Sequence, residues 1–317
     1  MHLVTIERPG AEPSPGALLG SEVLVFAAAG DALPAARGIP GSMRAILEAG
    51  EPALDLVRRM LDAAQGLSAA ERLRDQGALV PRARATLLAP VPDPLLILSC
   101  GMNYRAHLAE MKTPVPERPA AFTKNAAQLI GPEAPILLPP SNPDMVDWEG
   151  ELTVVIGRAC HRVSAKEALA HVAGYTIVND VSARDWVAPV FASQGVMGAI
   201  HAWEHNLLGK QFPTFCPMGP ALVTRDEIPD PGDLHLETRL NGKVMQSTST
   251  SDLVFGVAEL IAYYSQFYRF RPGDAITTGS PAGVGYGRNP KVFMRAGDRI
   301  EVEIEKIGVL ANPVAAG

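Results

Sequence analysis

Two carboxylates, Glu149 and Glu151, stand at the entrance of the apolar, β-branched run Leu152-Thr153-Val154-Val155-Ile156. Side chains alternate across a strand, so both carboxylates point to one face. Like charges placed this way repel unless something cationic lies between them. A second acidic cluster follows at Asn179-Asp180-Val181-Ser182-Ala183-Arg184-Asp185. If Asp180 joins the pair, three oxygen ligands converge. Mg2+, Mn2+ or Ca2+ is then the natural guest, because hard cations prefer carboxylate oxygens. The other reading of E-x-E is a strand with a solvated acidic face, and spacing alone leaves both open.

Three further groups could serve such a centre. His107 and Glu110 are three residues apart in Asn103-Tyr104-Arg105-Ala106-His107-Leu108-Ala109-Glu110-Met111. On a helix they share a face, and a carboxylate that holds one imidazole nitrogen leaves the other free as a general base. A stray surface contact is the alternative. Lys210, beside Gly209 and ahead of Phe212 and Phe215, could bind a substrate carboxylate or carbonyl, or could be a solvated surface lysine. Thr277-Thr278-Gly279-Ser280-Pro281-Ala282-Gly283 ends a strand in a Gly-rich turn that can present N–H groups and hydroxyls to anions. It lacks the spacing of nucleotide-binding loops, so a plain turn is also open.

These residues need a scaffold. The chain has 317 residues, 47% hydrophobic and 20% charged, which suggests about two domains of an ordinary globular enzyme. A net charge of −6 leaves no electrostatic footprint for nucleic acid. No apolar run has the length of a membrane span. Met1 to Glu7 lacks the pattern of a signal peptide. The cysteines, Cys100, Cys160 and Cys216, are odd in number and show no C-x-x-C spacing. That argues for a reducing compartment, and a cytoplasmic location is the expectation.

The pattern changes along the chain. Residues 1–88 are expected to form a small α+β N-terminal domain with one amphipathic helix from Ser42 to about Ala64. Residues 89–317 read as a larger, strand-dominated domain, giving an α+β, mainly β fold. Strands are expected at Leu96–Cys100, Leu152–Ile156, Tyr175–Val178 and Arg299–Ile307. A hairpin turns at Asn241-Gly242, and Asp252 is expected to cap a helix running to about Phe267. Asn103 is a candidate cap for a short helix that Pro114 and Pro116 keep from extending. That helix, carrying His107 and Glu110, could be a mobile lid over 104–117 or a permanently docked wall.

Taken in order, the segments G-M-N-Y-R-A-H-L-A-E-M, F-T-K, D-W-E-G-E-L-T-V-V-I-G-R, N-D-V-S-A-R-D-W, G-K-Q-F-P-T-F-C-P-M-G-P, L-N-G-K-V-M-Q-S and T-T-G-S-P-A-G-V-G resemble the fumarylacetoacetate hydrolase family over about 95–312. The resemblance implies a mixed β-roll catalytic domain, a homodimer, and a divalent metal, Mg2+ first, on Glu149, Glu151 and Asp180. It implies catalytic roles for His107, Glu110 and Lys210. Tyr104, Lys124, Arg184 and Ser280 fall on the substrate side. The implied activity is hydrolysis of a C–C bond in an acylpyruvate, fumarylpyruvate or fumarylacetoacetate-like acid, as in aromatic catabolism. The alternative is decarboxylation, hydration or tautomerisation of a 2-oxo acid through the same enolate. Departures concern the substrate more than the metal. Val187 stands where some relatives carry Gln, Ser280 replaces a threonine, and the interval from Asp180 to Lys210 is long. Its residues Phe191, Met197, His201, Trp203 and His205 are expected to shape the pocket entrance.

Overall fold

The computed structural model describes residues 1–187 and 194–317. The chain opens with strands β1 (His2–Arg8), β2 (Ala11–Leu19) and β3 (Glu22–Val25), paired antiparallel in series. The single helix expected from Ser42 to Ala64 forms as two, α1 (Met43–Ala49) and α2 (Glu51–Ala64). Ser42 does cap the first, accepting the Ala45 N–H at 3.2 Å. The break comes from Gly50, at φ 66°, and from Pro52, which has no N–H to continue a helix and fits only a first turn. Then come α3 (Leu67–Asp75), β4 (Leu79–Pro81) and β5 (Leu87–Leu88).

The larger part contains β6 (Ile97–Gly101), α4 (Arg105–Glu110), β7 (Ala120–Lys124), β8 (Leu129–Ile130) and β9 (Ile136–Leu138). β10 (Val146–Asp147), β11 (Gly150–Ile156), α5 (Ala165–Ala168), β12 (Val172–Asn179), β13 (Ser182–Ala183) and α6 (Arg184–Val187) follow. α7 (Gly195–Leu208), β14 (Cys216–Thr224), β15 (His235–Leu240), β16 (Lys243–Ser249) and α8 (Val257–Tyr264) come next. β17 (Ala275–Thr277), β18 (Arg299–Ile304) and β19 (Gly308–Ala316) complete the chain.

One mixed sheet runs β4-β3-β2-β1-β14-β12-β11-β17-β6-β7, with β5 beside β1 and β8 beside β14. A second runs β16-β15-β18-β19-β9. The two share a core in which Leu152 and Val154 of the first meet Leu236, Val302 and Ile304 of the second. Strands β11 and β12 are buried along their whole length, which explains their near-continuous apolar sequence. Gly150 marks a close approach of the two sheets. A Cβ there would stand 2.5 Å from Thr238 Oγ1 and 2.8 Å from Val302. The alternation in Glu-Gly-Glu is therefore physical, with carboxylates on one face and bare backbone against the second sheet on the other.

The N-terminal strands extend the large sheet through the β1–β14 pairing, while α1 to α3 pack mainly on those strands, around Leu24, Ile46, Val57 and Met60. We propose a domain boundary near residue 88, across which the two parts share a sheet and Val155, Ala173 and Leu222 of the larger part join the N-terminal core. The hairpin forms as expected, with both turn residues at positive φ, Asn241 at 52° and Gly242 at 77°. The expected Asp252 cap does not form. Gly256 is the N-cap of α8, and Asp252 instead accepts the Ala106 N–H at 2.9 Å. Asn103 is not the cap of α4 either. Tyr104 holds that position, and the Asn103 amide bridges to the Thr278 carbonyl at 2.9 Å and the Phe255 carbonyl at 3.1 Å. In both cases a tertiary partner outcompetes the local helix end.

Candidate active site

Strand register builds the acidic centre. β11 pairs antiparallel with β12, setting Gly150 opposite Asn179 and Glu151 opposite Val178. The Asn179 side chain accepts the Glu149 N–H at 2.9 Å, and the Asp180 N–H donates to the Glu149 carbonyl at 2.9 Å. These bonds tie the end of one strand to the start of the other. Ligand oxygens of Glu149, Glu151 and Asp180 consequently lie within 4.8 Å of one another.

Cations close around this cluster. Lys210 Nζ donates to Glu149 Oε2 at 2.9 Å and Asp180 Oδ2 at 2.8 Å. Lys124 Nζ donates to Asp180 Oδ1 at 2.6 Å and to the Lys210 carbonyl at 2.8 Å. Arg184 pairs with Asp147 at 2.8 Å and with Glu149 at 2.7 Å. Burial pushes Asp180 toward the neutral form, but Lys124 and Lys210 outweigh it and hold the carboxyl down at about 2. Burial likewise opposes ionisation of Glu149, and Lys210 with Arg184 still keeps it below the usual range. Glu151 goes the other way. Burial, then the charges of Asp180 and Glu149, raise it well above the usual carboxylate range. Its Oε2 accepts the Gly279 N–H at 3.0 Å, while its Oε1 is buried with no hydrogen-bond partner among the described residues. An orphaned carboxylate oxygen beside two other hard oxygen donors fits a divalent cation. The solvated acidic face considered above does not fit, because Glu151 and Asp180 are buried.

The histidine arrives from another direction. α4 has only six residues, so its placement depends on tertiary anchors. Leu108 is buried beneath it, Asp252 receives the Ala106 N–H, and Arg105 donates to the Asp252 and Leu253 carbonyls. Glu110 accepts the Gly283 N–H at 3.1 Å and lies 3.0 Å from His107 Nδ1. Burial acts against its charge, but the His107 and Gly283 bonds keep Glu110 below its ordinary value. The helix is docked in this structure.

A cavity of about 290 Å³ joins these parts. His107, Glu149, Asp180, Arg184, Lys210 and Ser280 line it, so the structure brings together most of the residues singled out from sequence. Glu110 and Glu151 stand behind, holding His107 and completing the triad. Two substrate-side expectations change. Tyr104 is fully buried at the foot of α4, where it bridges to Leu253, and is not part of the cavity lining. Lys124 is also buried off the cavity, and its amine is spent on Asp180 and the Lys210 carbonyl. Of the entrance residues, Trp203 lines the cavity, Met197 and His201 are exposed, and His205 packs edge-on to Trp186. Phe191 and the Val187 side chain lie outside the described residues.

Two residues went unnoticed in the sequence. Asp147, fully buried, accepts from Arg184 Nε at 2.8 Å and from the Trp148, Gly285 and Tyr286 N–H groups at 2.9, 2.7 and 3.0 Å. It fixes Arg184 and the loop below Glu110 together. Gln246 on the hairpin accepts the Gly150 N–H at 3.1 Å and donates to Ser280 Oγ at 2.9 Å, coupling the second sheet to the site. The only advance signal was that both are polar residues within motifs otherwise read for something else.

Comparison with known proteins agrees with this architecture. The chain matches the fumarylacetoacetate (FAA) hydrolase C-terminal family over residues 97–315. It is 45% identical over 276 residues to oxaloacetate tautomerase FAHD2A, mitochondrial, of Homo sapiens, covering 87% of this chain and 80% of that protein. Among solved structures, 2-hydroxyhepta-2,4-diene-1,7-dioate isomerase from Mycobacterium marinum is 38% identical, with a TM-score of 0.61 over 76% of this chain and 81% of that one. Maleylpyruvate hydrolase from Sphingobium sp. SYK-6, in complex with manganese(II) and pyruvate, is 28% identical, with a TM-score of 0.74 over 100% of both chains. The expectation of a cytoplasmic location is overturned, since the human and bovine relatives are mitochondrial proteins. The free, buried cysteines that prompted it indicate only that no disulfide is needed, which suits any reducing compartment. With this match over most of its length and this arrangement of carboxylates, the chain belongs to the fumarylacetoacetate hydrolase family.

Proposed function

We propose that this enzyme interconverts the keto and enol forms of a 2-oxo acid by moving a proton at the carbon next to the 2-oxo group. The observation that carries the reading is the His107–Glu110 pair, 3.0 Å apart, with His107 lining the same cavity as Glu149, Asp180 and Lys210. Glu149, Glu151 and Asp180 would hold a Mg2+ or Mn2+ ion, which would supply Lewis-acid polarisation of the substrate oxygens. Glu110 holds the proton on His107 Nδ1, so Nε2 carries the lone pair that removes the C–H proton. Lys210 and Arg184 stabilise the negative charge that grows on the enolate oxygen. Return of the proton to oxygen completes the enol. The reverse sequence restores the ketone, so atoms and charge balance with no co-reactant. The 45% identity to an oxaloacetate tautomerase supports this chemistry.

C–C hydrolysis of an acylpyruvate-like acid is the second reading, favoured by the similarity to maleylpyruvate hydrolase. It uses the same enolate but requires His107 to activate water. One experiment separates them. Mg2+-loaded enzyme is given oxaloacetate and acylpyruvates, with enol absorbance followed alongside product analysis. Tautomerisation shifts absorbance without new acids, whereas hydrolysis releases two acids from one substrate. Absence of any Mg2+-dependent change in either would refute both readings. We also infer a homodimer from the family membership. A monomer mass by light scattering at micromolar concentration would refute it.

A further inference from the structure

We propose that the cavity selects a 2-oxo acid whose far end is uncharged and apolar, in place of a second carboxylate. The inference rests on the proposed function only for the identity of the 2-oxo acid head. The cavity has two chemically distinct walls. Its polar wall carries Glu149, Asp180, Arg184, Lys210 and Ser280. The other side is lined mainly by Met102, Met111, Phe122, Trp203 and Val284, with the neutral polar groups of Thr113, Asn206 and Tyr286. The change is abrupt, for the Phe122 ring centroid lies 5.3 Å from Lys210 Nζ.

A second carboxylate is held best by a free cation, and among the described residues no lining lysine or arginine is free of a carboxylate partner. Arg184 and Lys210 are the lining residues with permanent positive charge, and both are engaged at the polar wall with Asp147, Glu149 and Asp180. His107 is held by the Glu110 carboxylate. Lys124 is buried on Asp180. Lys291 stacks on the Tyr286 ring, 3.5 Å from its centroid, and does not line the cavity. Residues 188–193 read Ala-Pro-Val-Phe-Ala-Ser and contribute no basic side chain. A carboxylate against methionine, phenylalanine and tryptophan gives up hydration with only the neutral groups of Thr113, Asn206 and Tyr286 in the lining to offset it. An alkyl group gains from the same surface, and flexible methionines accommodate tails of different shape. The compounds in the names of the relatives, oxaloacetate among them, carry a second carboxylate, so an apolar far end would set this chain apart from them in specificity.

The test compares oxaloacetate with the 2-oxo acid in which an isopropyl group replaces its distal carboxylate. These are close in size and differ in charge and in C–H acidity, so each exchange rate is taken relative to the same acid with Mg2+ and no enzyme. Mg2+-loaded enzyme in D2O is followed by NMR for exchange at the carbon next to the 2-oxo group, and calorimetry gives Kd for each acid. We expect the isopropyl compound to lead by about tenfold or more in both readouts. Trp203→Lys, at a position 49% exposed, should fold normally and shift the ratio toward oxaloacetate by about tenfold. Equal or better use of oxaloacetate by the natural enzyme would overturn the inference while leaving the proposed function standing. An unchanged ratio in Trp203→Lys would overturn the placement of the tail. If neither acid exchanges, the proposed function fails, and the order of Kd values still decides for or against the apolar tail.

Discussion

Replacing Glu110 by Gln alters charge and donor pattern at nearly constant volume. In the natural enzyme the carboxylate lies 3.0 Å from His107 Nδ1 and accepts the Gly283 N–H at 3.1 Å. A carboxylate only accepts, so it keeps the proton on Nδ1 and leaves Nε2 as the base. A Gln at 110 can satisfy Gly283 with its carbonyl, which turns its NH2 group toward His107. That group donates to Nδ1, moves the ring proton to Nε2, and removes the basic lone pair from the cavity. A general acid–base group contributes about 10²–10⁴ in rate, or about 2.7–5.4 kcal/mol of activation free energy at about 1.36 kcal/mol per decade. The fold should respond far less. The pair is partly exposed, at 13% and 22% for the two side chains, so its hydrogen bond contributes about 1 kcal/mol or less to stability. The assay is turnover by deuterium exchange together with a urea midpoint. We expect kcat to fall about a hundredfold or more with little movement of the midpoint. Turnover within about threefold of the natural enzyme would refute the orienting role. A collapsed midpoint would recast Glu110 as an anchor of α4.

The remaining predictions concern the rest of the site. Asp180 pairs with the buried amines of Lys124 and Lys210, so Asp180→Ala should cost about 3–5 kcal/mol. Asp180→Asn is the gentler variant and should lose Mg2+ binding by calorimetry and Mg2+-dependent turnover, and unchanged affinity would remove Asp180 from the triad. Lys210→Met should lower kcat with little change in KM, whereas a rise in KM alone would assign it to binding only. The docking contacts of α4 predict equal amide protection of Ala106 to Met111 with and without oxalate, and strong added protection on binding would restore the lid. Glu110 has a folded pKa below its ordinary 4.5 despite burial, through the His107 and Gly283 bonds. Its stabilisation is therefore complete above the unfolded value and lost as pH falls through the folded one. The melting-temperature gap between the natural enzyme and Glu110→Gln should close on acidification below about pH 4, and a gap that widens there would contradict the assignment.

Much of this fold was legible because single segments carry their own physics. The Asn241-Gly242 turn needs left-handed backbone at both positions, which those residue types supply. The runs of β11 and β12 read as strands because both faces are buried. Misreadings occurred where a distant partner decided the outcome. Asp252 and Asn103 are both good helix caps by type, yet each spends its side chain across a gap of 146 to 175 positions, on Ala106 in one case and on Phe255 and Thr278 in the other. The break at Gly50-Glu51-Pro52 was readable locally and was masked by hydrophobic periodicity that continues through it.

The same distinction governs the site. Glu149 and Glu151 announce themselves because a strand places them on one face, and Asp180 follows once it is paired with them. What spacing could not express is how the charges are balanced. Asp180 is held low by Lys124 and Lys210, while Glu151, which has no ion-pair partner among the described residues, is pushed high. Those outcomes depend on β12 pairing with β11 in one register and on β7 delivering Lys124 from the sheet edge to the buried side of Asp180. Lys124 therefore looked like a substrate contact by its order in the chain and is a charge anchor by its place in the fold. Tyr104 shows the complement, an aromatic beside the dyad whose ring is committed to the core. A residue's type and neighbours thus indicate the chemistry available to it, and the partners that consume its polar atoms determine what remains for a substrate. Phe122, its ring centroid 5.3 Å from Lys210 Nζ, and the exposed Trp203 both line the cavity, and that surface would choose what the enzyme accepts.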